Sequence, residues 1–371
     1  MRPTSEAELS AVISDATGPL NLRGGGTRLM GPFAGNVLET SGLAGISLYE
    51  PGALTMVAYA GTPLAQIEAA LKSENQRLAF EPPDLRDVLG TSGVSTIGGV
   101  AASNASGPRR ISVGACRDFM LGVRFVDGAG AVVKNGGRVM KNVTGYDLVK
   151  LMSGAHGTLG VLSEVSLKVL PDVEMQLCLR IEGLDATQSV EAMSAALGSP
   201  FEVTGAARGV DGSVVLRIEG FEVSVRYRAT QLQSVLARFG AIDLIDDQER
   251  CANIWRDIRD ARAFASGDGD LWRISVKPSD APHVLETIGR NKATLDWGGG
   301  LIWCEVAKGL DIRAKMRVAG HATLMRASNE TFAKLGRFHP EAAPLAKISA
   351  NLRARFDPRG LLNPGLMGAA I

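Results

Sequence analysis

The sequence predicts an α+β protein in two parts, and three observations carry that expectation. Glycine is concentrated at one end: of 44 glycines, 25 lie in residues 1–170 and 19 in residues 171–371. Composition shifts after Pro171-Asp172. Beyond that point the apolar periodicity follows the order strand, helix, strand, strand, helix, strand, and then runs through the same order again, as ferredoxin-like units do. Glycine loses more chain entropy on folding than other residues, so a glycine-dense half implies tight turns or close approach of backbone to a ligand. The expected division is 1–172 and 173–371.

Ser5-Glu6-Ala7-Glu8 fits a capping box, and Leu9, Val12 and Ile13 give the helix after it an apolar face. Residues 19–22 read as a short strand running into Arg23-Gly24-Gly25-Gly26-Thr27-Arg28. A strand over 55–60 passes through Gly61-Thr62-Pro63 to a helix, with Thr62 as cap, Pro63 in the first helical position and Leu64, Ile67 and Leu71 along one side. Alternation at Phe119, Leu121, Val123 and Phe125 predicts a strand, which Asp127-Gly128 turns into another near 131–133. A short helix over 147–153 precedes a strand carrying Val161, Val165, Leu167 and Val169. In the second part, strands are expected over 175–182, 201–207, 213–219 and 241–245, with helices over 186–197 and 223–239. A linking helix near 248–264 leads to strands over 271–277, 294–297, 301–306 and 321–326 and helices over 281–290 and 310–319. A last helix over 341–356 ends before Asn363-Pro364-Gly365.

Lys and Arg total 40 and Asp and Glu 39 in 371 residues. No basic field is present to attract nucleic acid. No stretch approaches the roughly 18 apolar residues of a membrane span, and the N-terminus carries no apolar leader, so a cytoplasmic protein is expected. Cys116, Cys178, Cys251 and Cys304 are far apart, without C-x-x-C spacing, and read as reduced, buried thiols rather than cluster or zinc ligands. His156, His283, His321 and His339 form no pair at metal-ligand spacing, and no metal site is expected.

Three segments carry chemistry. In Arg23–Arg28, successive glycines let backbone N–H groups turn into one concavity suited to a pyrophosphate, although such a run is also a common turn. It is neither a G-x-G-x-x-G nor a G-x-x-x-x-G-K-[ST] fingerprint. Gly90–Gly107 consists mostly of small residues and offers too little volume to build a core element. It suits a flat ring and a diphosphate lying against the backbone, and its Val94, Ile97 and Val100 argue against a solvated linker. The third comprises Lys141-Asn142-Val143-Thr144-Gly145-Tyr146-Asp147 and the turn-rich run Ser153–Val161.

In this order and spacing, the three segments resemble the FAD-binding domain of the vanillyl-alcohol oxidase and p-cresol methylhydroxylase family. Ser106-Gly107-Pro108-Arg109-Arg110, with Val113-Gly114, Arg117-Asp118-Phe119 and Met140-Lys141-Asn142-Val143, is similar to the FAD-binding subunits of bacterial glycolate oxidases. Residues 1–172 carry the resemblance most strongly. It implies a two-subdomain p-cresol methylhydroxylase-type FAD-binding domain over 1–172. An α+β cap with an antiparallel sheet would follow over 173–371, its C-terminal segment returning to the FAD domain. It further implies Arg23, Gly24, Gly25, Gly26, Thr27 and Arg28 at the pyrophosphate. Gly90, Thr91, Gly98, Gly99, Ser103 and Asn104 would run along the diphosphate, ribityl chain and flavin, with Gly107, Arg110 and Asn363 as further contacts. Gly154, Gly157, Thr158, Gly160 and Val161 would meet the adenosine and ribose. The first loop holds neither His nor Cys, and only Cys116 lies near the second, so noncovalent FAD is expected.

The activity implied is FAD-dependent oxidation of glycolate, or another small 2-hydroxy acid, within a complex. Its partners would be a larger flavin subunit and an iron–sulfur subunit, with peripheral membrane association through them. Relatives that oxidise D-2-hydroxy acids carry His-x-Gly-Asp-Gly-Asn and a Glu-His pair, which this chain lacks; Gly267-Asp268-Gly269 has no flanking histidine and reads as a loop. Ala155-His156-Gly157 replaces the usual Ser-Glu-Gly or Ser-Leu-Gly, with His156 read as a solvated or hydrogen-bonded filler of the turn. Two redox readings remain open. Either the flavin relays electrons while a partner oxidises the substrate, or the chain itself dehydrogenates a 2-hydroxy acid, with Arg109, Arg110, Lys141 and Tyr146 binding its carboxylate and moving protons. A structural subunit without flavin is the third alternative.

Overall fold

A computed structural model describes residues 1–28, 35–138, 145–289 and 291–368. The motif Met140-Lys141-Asn142-Val143-Thr144 lies outside the described residues, and with it the candidate Lys141. The first helix, Glu6–Ser14, is capped by Ser5, whose Oγ accepts from the Glu8 N–H. The capping box is only half formed, because the Glu8 carboxylate accepts from Thr4 N at 2.8 Å instead of closing back onto Ser5. Strands β1 (Leu20–Arg23) and β2 (Asn36–Glu39) pair in parallel. Leu20 also bridges Leu362 in parallel, so the end of the chain packs beside its beginning.

Strands β3 (Ile46–Glu50) and β4 (Thr55–Tyr59) open a second sheet. The short β5 (Gln76–Arg77) follows, then β6 (Met120–Val126), β7 (Val132–Gly136) and β8 (Val161–Lys168). The sheet is antiparallel, in the order β3-β4-β8-β6-β7. A two-residue β9 (Leu170–Pro171) pairs with β5. Helix Leu64–Ser73 buries Leu64, Ile67 and Leu71, as its spacing predicts. Thr62 does not cap it: its buried hydroxyl accepts from Gly45 N at 2.9 Å and donates to Tyr59 O at 2.7 Å, and Pro63 occupies the cap position rather than the first turn. The hydroxyl is consumed by the buried turn, where unpaired backbone groups would cost more than a bare helix end.

The remaining strands are β10 (Met175–Ile181), β11 (Val203–Arg208), β12 (Val214–Gly220), β13 (Ile242–Ile245), β14 (Asp270–Val276), β15 (Lys292–Asp296), β16 (Leu301–Val306) and β17 (Gly320–Arg326). They form one antiparallel sheet in the order β13-β10-β12-β11-β15-β16-β14-β17. Each half repeats the ferredoxin-like strand order, and the halves join edge to edge through the pair Arg208↔Leu295. Helices Ala186–Leu197, Glu222–Leu236 and Ala281–Ile288 bury their apolar sides against one face. The helix expected over 310–319 is a single turn, Ile312–Lys315. Only Ile312 is buried, so the segment has no second apolar turn to hold it helical. Among the described residues no helix is long and apolar enough to cross a membrane.

The opposite face of this sheet meets the N-terminal part through a buried charge network. Arg217 of β12 makes two bonds of 2.9 Å to the Glu81 carboxylate, beyond β5. Arg109 pairs with Glu81 at 2.9 Å and holds Glu219 of β12 through Nε at 2.7 Å. Arg77 reaches Glu219 at 3.1 Å. Trp255 lies under the Arg217 guanidinium, 4.5 Å from ring centroid to Cζ. Arg109 is therefore fully engaged in joining the two parts and is not available to a substrate carboxylate. Glu219→Ala leaves Arg109 and Arg217 short of a carboxylate, and should cost about 3–5 kcal/mol in a denaturant titration. The surrounding arginines hold Glu81 and Glu219 below the ordinary carboxylate range, against the burial that opposes them. The network's stabilisation is therefore present above the unfolded pKa of about 4.3 and lost as pH falls through the lower folded values.

Candidate functional site

The two glycine loops lie against each other at the end of β1. A Cβ on Gly25 would sit 1.5 Å from the Val94 carbonyl oxygen, and one on Gly98 would sit 2.6 Å from the Ala60 Cβ. Glycine is demanded there by loop-on-loop and loop-on-strand packing. Beside this contact runs a groove of about 850 Å³, with Gly24–Gly26 and Gly98–Gly99 on one side and Gly157, Gly160 and Val161 on the other. Arg23, Arg28 and Arg337 line it, and no carboxylate does among the described residues. The Arg23 Nε is buried without a hydrogen-bond partner. Arg28 donates to Ser95 Oγ at 2.9 Å and Pro83 O at 2.6 Å, and burial lowers its pKa to about 10. Asn363 closes one end: its Oδ1 accepts from Leu22 N at 2.8 Å and its Nδ2 donates to His156 O at 2.9 Å.

The groove continues past Ser103 and His156, which line both spaces, into a cavity of about 1180 Å³ facing the large sheet. Arg28, Arg110, Arg259 and Arg273 line this cavity with His321 and Trp303, and Asp296 is its one carboxylate among the described residues. Arg259 is paired with Asp260 at 2.7 Å. Arg110 and Arg273 instead each rest over the Trp297 ring, 4.7 and 5.1 Å from its centroid. Burial and the neighbouring Arg110 lower the Arg273 pKa to about 10; burial and Arg117 lower that of Arg110. Two cations desolvated side by side without a carboxylate partner form a site for an anion.

The residues expected to bind a cofactor fall into four places. Arg23, Gly24, Gly25, Gly26, Thr27, Arg28, Gly98, Gly99, Ser103, Gly157, Gly160, Val161 and Asn363 line the groove. Asn104, Gly107, Arg110 and Gly154 line the cavity. Gly90 and Thr91 border a crevice on the outer side of the first loop, where the Thr91 hydroxyl donates to Thr27 O at 3.0 Å. Thr158 lines neither groove nor cavity; its buried hydroxyl donates to Ala155 O at 2.7 Å. Tyr146 is 88% exposed and apart from both spaces. Cys116 is buried, and burial raises its thiol to about 12.

Sequence reasoning missed the cap's share of the site: Arg273, Asp296, Trp297, Trp303, His321 and Arg337. The run Asp296-Trp297-Gly298-Gly299-Gly300 was the available signal, a glycine cluster in the glycine-poor half. His156 is not solvated filler. It stands at the junction of groove and cavity with a left-handed backbone (φ +50°), its ring 5.0 Å from Phe338.

These features define a flavin-type binding fold. Residues 1–136 match the family described as FAD binding domain. Over 369 residues the chain is 37% identical to glycolate oxidase subunit GlcE of Escherichia coli (strain K12), covering 98% of this chain and 96% of that one. The chain belongs to the family of that subunit. It is also 32% identical over 204 residues to glycolate oxidase subunit GlcD of Bacillus subtilis (strain 168), covering 52% and 42% of the two chains. Among solved structures, its fold is shared by 4-ethylphenol oxidase from Gulosibacter chungangensis, at a TM-score of 0.71 and 12% identity over 99% of this chain and 88% of that one. An alkyldihydroxyacetonephosphate synthase shares it at a TM-score of 0.70 and 14% identity, over 98% and 76%.

The groove fits FAD on its own chemistry. A diphosphate needs cations and backbone donors without competing carboxylates, and the groove supplies Arg23, Arg28 and a glycine floor. Burial, and then the charge of Arg337, lower the His156 pKa to about 4. Between pH 6.5 and 4 the unfolded chain therefore binds a proton that the folded chain does not. Stability should fall as pH drops through that window, by up to about 3 kcal/mol from this residue. His156→Asn, which tolerates the left-handed backbone, should flatten the dependence in denaturant titrations at pH 4.5 and 7.

Proposed function

We propose that this chain is the FAD-binding subunit of a glycolate-oxidase-type complex and that a small 2-hydroxycarboxylate binds in its cavity. The observation that carries this reading is the junction at Ser103 and His156, where a cation-lined groove opens into a cavity holding Arg110 and Arg273; among the described residues the groove has no carboxylate and neither arginine has an ion-pair partner. FAD lies along the groove in this reading, with Arg23–Arg28 and Gly98–Gly99 at its diphosphate and Gly157, Gly160, Val161 and Asn363 on the opposite wall. When bound, FAD supplies the two-electron acceptor for the C–H bond next to the hydroxyl. The protein binds the carboxylate through Arg110 and Arg273 and shields the reacting carbon from water beneath Trp303 and Phe338. The functional division falls at about residue 172, with the cap of 173–371 closing over the groove and its last residues returning to β1.

This assignment gives the chain's own flavin a substrate site, in place of a relay role alone. Electrons then leave through partners, a larger flavin subunit and an iron–sulfur subunit, which also carry any contact with the cytoplasmic face of a membrane. The four cysteines of this chain are free, buried thiols, with Cys178 and Cys251 next to each other.

FAD is held noncovalently in this reading, since the first loop has no His or Cys and Cys116 is buried as a neutral thiol. Acid precipitation of the purified protein should leave yellow flavin in the supernatant and a colourless pellet. Arg273→Met should raise the glycolate concentration that half-bleaches the flavin anaerobically by about tenfold or more, the cost of one charge-assisted contact, with FAD content unchanged. Unchanged glycolate dependence would remove the cavity from the reaction.

A further inference from the structure

The anion cavity contains one acidic group, and its setting is unusual. Asp296 ends β15 and is 5% exposed. Its Oδ1 accepts from Trp297 N at 2.7 Å, and among the described residues no other hydrogen bond or ion pair reaches the carboxylate. The chain then turns through three left-handed residues, Trp297 (φ +54°), Gly298 (φ +67°) and Gly299 (φ +108°). A tryptophan in that region is strained, and such strain persists only where the surroundings enforce it. Here the indole is fixed from across the interface, donating through Nε1 to Gly107 O at 3.1 Å. The same ring carries Arg110 and Arg273. One strained turn thus sets the carboxylate and both unpaired guanidiniums around a common space.

We propose that Asp296 is the proton acceptor of this cavity: it takes the hydroxyl proton of a 2-hydroxycarboxylate whose carboxylate rests on Arg110 and Arg273. This rests on the cavity being the substrate site. The substrate O–H bond breaks with its proton going to the free carboxylate oxygen of Asp296. FAD held along the groove would accept the C2 hydrogen with its electron pair as the C2–H bond breaks, and the O–H pair becomes the carbonyl π bond. The product is the 2-oxo acid, and Asp296 later loses its proton to water. A carboxylate does here what the absent histidine pair does not.

The charges around Asp296 support this role. Arg273 faces it from β14 and Arg217 from β12, Glu81 lies beyond Arg217, and Arg28, Arg110, Arg259 and His321 line the shared space. Burial above all, with Glu81 adding to it, lifts the Asp296 carboxyl to about 7 against the Trp297 N–H and the two arginines. Burial, then the charges of Arg273, His339 and Arg110, lower His321 and favour its neutral form. A carboxyl near 7 is half ionised at neutral pH, close to the optimum for a general base.

The sign is testable without turnover. An anion binds more tightly beside a protonated Asp296, so affinity falls as pH rises through 7. Acetate, which has no hydroxyl to oxidise, is titrated calorimetrically into the FAD-loaded protein at pH 6 and pH 8. If the protonated form binds acetate about ten times more tightly than the ionised form, which still binds it, the dissociation constant rises about fivefold. Calorimetry at pH 7.5 in buffers of different ionisation enthalpy should show a proton taken up from buffer on binding; no uptake overturns the assignment whether or not any variant folds. Asp296→Asn keeps the acceptor for Trp297 N, so FAD content should hold while acetate affinity becomes independent of pH. Anaerobic flavin bleaching by glycolate in that variant should slow about 100-fold or more. A variant that keeps the wild-type pH dependence, or bleaches at the wild-type rate, overturns the role of Asp296 alone. Failure of acetate to bind the unsubstituted protein overturns the cavity reading as well.

Discussion

The buried charges joining Glu81, Arg109, Arg217 and Glu219 are the constraint on which the rest of the site depends. Neither carboxylate has a complete partner set within its own part of the chain. Glu81 needs Arg217 of the large sheet, and Glu219 needs Arg109 from the loop after the second glycine run. Desolvating four such groups is favourable only when all are satisfied together. The sheet is thereby fixed in one orientation over the loops, and the cavity exists because of that orientation.

Groove and cavity have different physical origins. The groove has a glycine floor with Arg23, Arg28 and Arg337 along it, and part of that glycine serves the loops' contact with each other, as the Gly25 and Val94 approach requires. The cavity is instead bounded by charged side chains from opposite elements. Arg110 comes from the first part and Arg273 from β14, and they meet only through Trp297. In the proposed reading, position along the groove is set by backbone and selection in the cavity by charge.

The fold was readable because its signals are local. Strands over 175–182, 213–219 and 301–306 and the helix over 186–197 follow from alternation and helical spacing within ten or so residues, and the structure places them within a residue or two of those bounds. Thr62 was misread because whether a hydroxyl caps a helix or ties a buried turn depends on Gly45, seventeen residues away. The helix over 310–319 failed for lack of a second buried turn. The glycine loops of the candidate site were legible as small-residue runs. The arginines and Asp296 were not, since unpaired charge at Arg273 is a property of what the fold leaves opposite it.

The missing histidine pair takes on a different meaning in this geometry. A His-rich site carries its positive charge conditionally, gaining it at low pH and losing it above about 6.5. A pair of arginines carries charge at every accessible pH, so the anion site is always on, and only a titratable neighbour can modulate it. Burial makes Asp296 that neighbour. Crowded cations also weigh against the ligand-free protein: Arg110 and Arg273 both sit below the ordinary guanidinium range because burial, and for Arg273 the charge of Arg110, works against them. An anion that relieves this repulsion binds the folded state alone, so its binding energy adds directly to folding stability. The same unpaired charge that recognises the ligand is a cost the empty protein bears, offset by the charge network that holds the cap in place.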